Sequence, residues 1–239
     1  MCAYTDYMEA NGVIVTLDQE KAYDKIDHKY MLATLKHFHI PDVFINTVAT
    51  LYKHAKMQVI INGVCSETYP VIRGVRQGDP LSCLLFDLTI ELLTASIQNA
   101  PTLTGYNIPN TNITVKVNLY ADNTTVYLSD TDHYSDLEHV LEKWCLASGA
   151  KFNLEKTEII PIGTEMHRQR VIHSRQIHPE DHLLPPGIRI ATDGHPTCIL
   201  GAWIGNKIED AQPWTTVLDK IKERPTIGHA QGPPLMQST

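Results

Sequence analysis

Cysteine is sparse in this chain. The five residues (Cys2, Cys65, Cys83, Cys145 and Cys198) are odd in number and form no C-x-x-C pair. That excludes a disulfide-stapled scaffold and a zinc knuckle, and it fits a reducing, intracellular setting. Basic charge is also short: 20 Lys and Arg stand against 27 Asp and Glu, for a formal net charge of −7. Phosphate contacts supply most non-specific affinity for nucleic acids, so charge alone speaks against polynucleotide binding by the chain as it stands. No uninterrupted apolar run reaches the roughly 18 residues expected of a membrane span. "MCAYTDYMEANG" lacks the basic and apolar regions of a secretory signal. No transmembrane helix and no membrane partner are therefore expected. Nucleophile-elbow and phosphate-cradling P-loop patterns are absent as well.

What is present suffices for a core: the apolar fraction is 43% over 239 residues. Gly12 opens a β-branched run, Val13 to Leu17, that reads as a buried strand ending at Asp18. A helical pattern follows, with Ile26, Tyr30, Leu32 and Leu35 toward a core. Pro41 starts a second helix through Val43, Val48 and Leu51. "AKMQVIING" and "CSETYPV" form a hairpin about Asn62-Gly63, a favoured two-residue turn. A Gly-rich turn then leads into a long apolar helix with Pro80 in its first turn. "HYSDLEHVLEKWCLASGA" is amphipathic through Leu137, Val140, Leu141 and Trp144, with Gly149 near its end. "EIIPIG" is a short strand, and "CILGAWIGN" a strand or hairpin. Residues 164–197, rich in His, Arg and Pro with weak periodicity, read as a long insertion with some strand. Strands interleaved with helices point to one α/β or α+β layer fold.

Two acids stand out by position. Asp18 ends a strand, and Asp122 sits at the tip of the hairpin "VNLYADNTTVYL". Acids at the ends of adjacent strands can converge on a hard divalent cation. Taken alone, a strand-end Asp is more often a turn-former or a helix cap.

Five stretches, "LDQEKAYDKIDH", "RGVRQGDPLSCLLF", "LYADNTTVYL", "SGAKFNLEKTEIIPIG" and "ILGAWIGN", follow one another in that order. Together they resemble the ordered motifs of reverse transcriptases, most of all those of non-LTR (LINE-type) retrotransposons, over about residues 1–222. The resemblance implies an α+β polymerase palm over residues 1–206: a ferredoxin-like antiparallel sheet backed by helices, carrying the 164–197 insertion. Residues 207–239 would be the start of a thumb-like helix and a disordered tail, with fingers and thumb largely missing. The implied reaction is RNA-directed DNA synthesis, a nucleotidyl transfer using Mg²⁺, with Mn²⁺ as the alternative. Its partners would be an RNA template, a DNA primer and deoxynucleoside triphosphates, with missing regions supplied in trans. The implied compartment is the nucleus, with an organelle as the alternative.

By the same resemblance Asp18 and Asp122 hold the metal, and Leu17 offers its backbone carbonyl to it. Tyr23 falls at the aromatic gate against a ribose 2′-hydroxyl, with Lys21 and Asp24 in the same motif. Arg76, Gln77 and Gly78 face the incoming nucleotide, Gly78 permitting close backbone approach. Lys156 is a proton donor to pyrophosphate, and Leu200, Gly201 and Trp203 form the primer grip. Each has a plainer reading: core packing for Tyr23 and Trp203, a solvated surface for the lysines, a helix-start turn for residues 76–78. One position departs from the family, whose hairpin tip reads aromatic-Ala-Asp-Asp. Here it is Tyr120-Ala121-Asp122-Asn123. An amide adds no negative charge beside a dication, so weak or absent polymerisation is expected, the alternative being a non-catalytic remnant acting as a binding module. His167, His173, His178 and His182 are spaced too irregularly for a zinc site and read as a solvated loop. "SDTDHYSD" lacks the Gly and terminal Glu of a calcium loop and reads as a helix-start cap.

Overall fold

Strand β1 (Gly12–Asp18) is buried along nearly its whole length in the computed structural model, which describes residues 10–207. Val13, Val15 and Leu17 enter the main core, and Ile14 enters a smaller cluster with Tyr106, Ile160 and Ile162. A strand covered on both faces explains the unbroken apolar run. After β1 come α1 (Ala22–Lys25), α2 (His28–His37) and α3 (Asp42–Lys53). Four two-residue strands follow: β2 (Lys56–Met57), β3 (Ile60–Ile61), β4 (Val64–Cys65) and β5 (Tyr69–Pro70). Next are α4 (Pro80–Gln98), β6 (Tyr106–Asn107), β7 (Thr114–Val115), β8 (Val117–Tyr120), β9 (Asn123–Ser129) and α5 (Tyr134–Ser148). The chain continues through a 3₁₀ turn (Leu154–Lys156), β10 (Glu158–Ile162), α6 (Glu165–Ser174), β11 (Arg189–Ile190), β12 (Thr197–Ile199) and β13 (Ala202–Ile204).

The main sheet runs β11-β10-β1-β9-β8, with β1 antiparallel to both neighbours. If β1, β8, β9 and β10 are counted as four successive strands, their order is 4-1-3-2, the ferredoxin-like split βαβ arrangement. The fold is α+β, as the resemblance implies. The helices are bound to one another by Tyr30, whose hydroxyl donates to the Thr89 carbonyl (3.1 Å) and accepts from the Trp144 indole (2.9 Å). That one side chain ties α2, α4 and α5.

Local signals explain the helix ends. The Asp27 carboxylate accepts the Lys29 and Tyr30 amides, Asp79 accepts that of Leu81 with Pro80 at the first helical position, and Gly149 closes α5 at φ 75°. The acidic stretch before α5 corrects the expected helix-start cap: the helix start at His133 has no side-chain cap, and the buried Asp132 instead takes the amides of Thr104, Gly105 and Ser129. The Asn62-Gly63 turn joins β3 to β4 with both residues at positive φ. In α3 the inward stripe is Ile45, Val48 and Tyr52, whereas Val43 and Leu51 are 80% and 50% exposed. Leu51 lies six positions beyond Ile45, roughly 240° round the helix, hence off the stripe. Among the described residues α4 is long and apolar enough to cross a membrane by length and composition alone. Its Leu85, Phe86, Ile90, Leu93 and Ile97 are buried in the core.

The insertion corrects the sequence reading. It holds the expected strand, β11, which pairs in parallel with β10, but it also forms a helix that was not expected, α6, capped by Thr164. No apolar stripe announced α6, because two of its three buried residues are His167 and Arg168. The Arg168 guanidinium is 1% exposed and grips the Asp193 carboxylate through Nε and Nη2 (3.0 and 2.9 Å), while Nη1 donates to the Gly163 carbonyl. Breaking a buried pair strands a charge, so Arg168→Ala is expected to cost about 3–5 kcal/mol. A urea-midpoint change equivalent to under about 1 kcal/mol would show that the pair is not buried in solution.

The four histidines do not converge, and the solvated-loop reading holds for only part of them: His173 and His182 are exposed, His178 is half-buried and His167 is not solvated. His167 is buried with Nε2 3.2 Å from the Gly12 carbonyl, His173 bonds the Gln169 carbonyl, and His182 pairs with Glu138. Burial pushes the His167 imidazole below its usual range. A depressed folded pKa means stability is complete above about pH 6.5 and falls as pH drops toward the folded value. His167→Gln is expected to flatten that acid-side loss, read from urea midpoints across pH 5–7.5; an unchanged slope would mean His167 does not cause it. The expected tail lies outside the described residues, as does all of the thumb-like helix beyond Lys207.

Candidate active site

Sheet register sets Asp18 opposite the residue that follows Asp122. Asp18, the last residue of β1, lies directly opposite Asn123, the first residue of β9, and Leu17 lies opposite Thr124. The β8–β9 hairpin pairs Tyr120 with Asn123, which leaves Ala121 and Asp122 as its two-residue loop. Ala121 takes φ 52°, a conformation that favours glycine and costs an alanine roughly 1–2 kcal/mol. Asp122 is thus held one residue beyond the cross-strand partner of Asp18. The Asn123 Nδ2 donates to Asp122 Oδ1 at 3.3 Å, so the departing residue engages the second acid directly.

Lys156 reaches the same point from the 3₁₀ turn. Its Nζ is 3.2 Å from Asp18 Oδ2. The turn is anchored twice: Asn153 donates its amide to the Asp18 carbonyl at 2.8 Å, and its side chain accepts the Glu155 amide. With its side chain 66% exposed, Lys156 contributes at most about 1 kcal/mol of stability through this pair.

A cleft of about 420 Å³ opens here, lined by Leu17, Asp18, Asn123, Lys156, Leu200 and Trp203. Its far wall is the β12–β13 hairpin, turned by Leu200 (φ 51°) and Gly201 (φ 81°). Arg189, paired with Glu158 at 2.8 Å, lines the same cleft. It reached the site on a strand with no periodic signal, and sequence reading missed it.

Asp122 does not line that cleft; its charge reaches Tyr23 instead. The Tyr23 hydroxyl is pushed above its usual range by burial first, then by the Cys83 thiol and the nearby carboxylates of Asp87 and Asp122. The Tyr23 ring stacks on the fully buried Phe86, with centroids 4.5 Å apart and planes 18° apart. Asp87 is a second residue that sequence reading missed, one turn beyond Cys83 on α4. Lys21 precedes α1 at φ 50° and is exposed.

Arg76 and Gln77 are not in the first cleft. With Asp24, Lys56, Tyr69 and Arg73 they line a second one of about 800 Å³. Gly78 has φ 86°, and a Cβ there would meet no protein atom within 4 Å, so the backbone conformation rather than close packing within the chain requires glycine. Within the chain, close backbone approach is found at Gly74. Its amide donates to the Ile26 carbonyl (2.8 Å), its carbonyl accepts from His28 Nε2 (2.8 Å), and Val75 donates to the Tyr23 carbonyl (2.7 Å). These bonds fasten the Arg76–Gln77 loop to the turn that carries Tyr23 and Asp24.

The profile of the family described as "Reverse transcriptase (RNA-dependent DNA polymerase)" matches residues 4–180. The transposon TX1 uncharacterized 149 kDa protein of Xenopus laevis is 32% identical over 143 residues, 60% of this chain and 11% of that protein. A Pol polyprotein from the Drosophila melanogaster retrotransposable element R2DM is 33% identical over 97 residues, covering 41% of this chain and 9% of its own length. One from an R2 element of Bradysia coprophila is 25% identical over 170 residues, 69% of this chain and 18% of its own. The chain spans at most 18% of the length of these three relatives. A structure of telomerase from Candida tropicalis, with a fragment of telomeric RNA, aligns at a TM-score of 0.48 and 15% identity over 64% of this chain and 26% of that one. With a family profile matched along residues 4–180, the chain belongs to the reverse transcriptase (RNA-dependent DNA polymerase) family.

Proposed function

We propose that this chain carries the polymerising centre of a retrotransposon reverse transcriptase, with Asn123 weakening it. The substrates are an RNA template, a DNA primer and deoxynucleoside triphosphates, and the intracellular, nuclear setting belongs to the same proposal. The observation that carries the reading is the register that sets Asp18 against the hairpin tip, with Lys156 Nζ at 3.2 Å. Cationic charge is already drawn to Asp18, and the carboxylate oxygens of Asp18 and Asp122 with the Leu17 carbonyl are the hard donors that suit Mg²⁺ or Mn²⁺. Bound there, such ions supply charge stabilisation to the attacking and leaving oxygens of phosphoryl transfer.

The remaining roles fall to side chains. Lys156 Nζ holds a proton beside Asp18 and delivers it to the leaving pyrophosphate. Tyr23, braced by Phe86, presents its ring to the sugar and excludes a 2′-hydroxyl. Arg76, Gln77 and the open backbone at Gly78 receive the nucleotide, and Leu200, Gly201 and Trp203 support the primer end. Asn123 weakens the centre in two ways: it adds no charge, and its Nδ2 occupies an oxygen of Asp122. Ile60, Ile61 and Val64, apolar and exposed on the β3–β4 hairpin, are where polymerase regions supplied in trans would dock.

The test is primer extension on an RNA template with Mg²⁺, comparing the chain with Asn123→Asp and with Asn123→Asp combined with Asp18→Asn. Extension by the single variant, lost in the double, supports the reading. Extension that survives Asp18→Asn would sink it, and silence from all three would favour the non-catalytic remnant.

A further inference from the structure

We propose that His133, His178 and Glu180 bind a transition-metal dication, Zn²⁺ by the chemistry of the donors, which fastens the segment after α6 to the start of α5. Each residue offers one ligand atom, and these atoms lie within 4.8 Å of one another. The two imidazoles are packed with centroids 4.2 Å apart. Two imidazoles and a carboxylate suit zinc, whereas Mg²⁺ prefers oxygen alone.

Asp181 is the second observation. Its side chain is 1% exposed, and its Oδ1 accepts from His133 Nδ1 at 2.8 Å. Its Oδ2 accepts the amides of Tyr134 (3.0 Å) and His178 (3.2 Å). A carboxylate behind an imidazole sets its tautomer and raises its basicity, as is usual for metal-bound histidine. With Nδ1–H given to Asp181, the Nε2 lone pair of His133 is left for a cation. His178 has a weaker commitment: its Nδ1 accepts the Glu180 amide at 3.3 Å, a long bond that coordination would replace. Tetrahedral ligands about 2.0–2.1 Å from zinc lie roughly 3.3 Å apart, so the cluster must close by no more than about 1.5 Å. Glu180 is exposed and able to make that movement.

The test is calorimetric titration of the full chain with Zn²⁺ in excess Mg²⁺, alongside thermal unfolding with and without Zn²⁺. One tight Zn²⁺ per chain and a raised Tm are expected. Glu180→Gln and His178→Ala should each weaken binding at least tenfold, and Asp181→Asn by about 10–100-fold. The α5 surface variant His139→Ala should bind as the parent does. If His178→Ala unfolds, the exposed Glu180→Gln decides. No tight Zn²⁺, or binding that survives both Glu180→Gln and His178→Ala, would overturn the site.

Discussion

Asn123→Asp is expected to raise Mg²⁺-dependent primer extension by about 10²–10³, the usual worth of one electrostatic stabiliser of a transition state. Asn123 lies opposite Asp18 and is exposed, so a new carboxylate would be hydrated and able to join the centre. The substitution also ends the donation from Nδ2 to Asp122 Oδ1, freeing that oxygen. Without cations, three acids at one tip repel one another, offset in part by Lys156 at 3.2 Å from Asp18. A second signature follows: the variant should lose a little thermal stability without Mg²⁺ and regain more than the parent when Mg²⁺ is added. Initial extension rates and Tm values with and without Mg²⁺ check both. An unchanged rate together with an unchanged Mg²⁺ shift would remove Asn123 as the cause of the proposed weakness.

Gly74→Ala is expected to be strongly damaging. Gly74 has φ 80°, and a Cβ there would stand 2.7 Å from Asp24 Cα, the Asp24 carbonyl and the Tyr23 carbonyl. All of these are backbone and cannot rotate away. Left-handed strain of about 1–2 kcal/mol and overpacking of about 1–3 kcal/mol give a cost of roughly 2–5 kcal/mol. If the loop instead moves away, it breaks the bonds to Ile26, Tyr23 and His28 and carries Arg76 and Gln77 with it. Gly78→Ala is the contrast. It shares the positive φ at 86° but meets nothing within 4 Å, so only about 1–2 kcal/mol is at stake. Urea unfolding of the two variants separates strain from packing, and equal losses would show that the close approach at Gly74 does not matter.

Much was legible without coordinates wherever the physics is local. The run Val13 to Leu17 marked a buried strand, Pro80 the start of a helix, and Asn62-Gly63 a two-residue turn. Each depends on a few consecutive residues, on capping, turn chemistry or the period of burial. Ordered motifs also sufficed to identify the family and the departure at Asn123. Helix α6 was hidden for the converse reason. Its inward side chains include His167 and Arg168, and the burial of Arg168 is tolerated because Asp193, 25 positions on, answers its charge. No window of the chain contains that pairing.

The sequence by itself marked Asp18, Asp122, Lys156 and Tyr23 as candidates for chemistry, and showed that one acid expected from the family pattern is an amide. Only the tertiary structure decided their neighbours. Antiparallel register set Asp18 against Asn123, the anchored 3₁₀ turn delivered Lys156, and a second hairpin brought Leu200 and Trp203 to the same cleft. It placed Arg76 and Gln77 in another cleft and gathered His133 with His178 and Glu180. The reason is physical: side-chain character and local backbone preference are encoded residue by residue, while strand register and long-range charge pairing arise only when distant segments share one core.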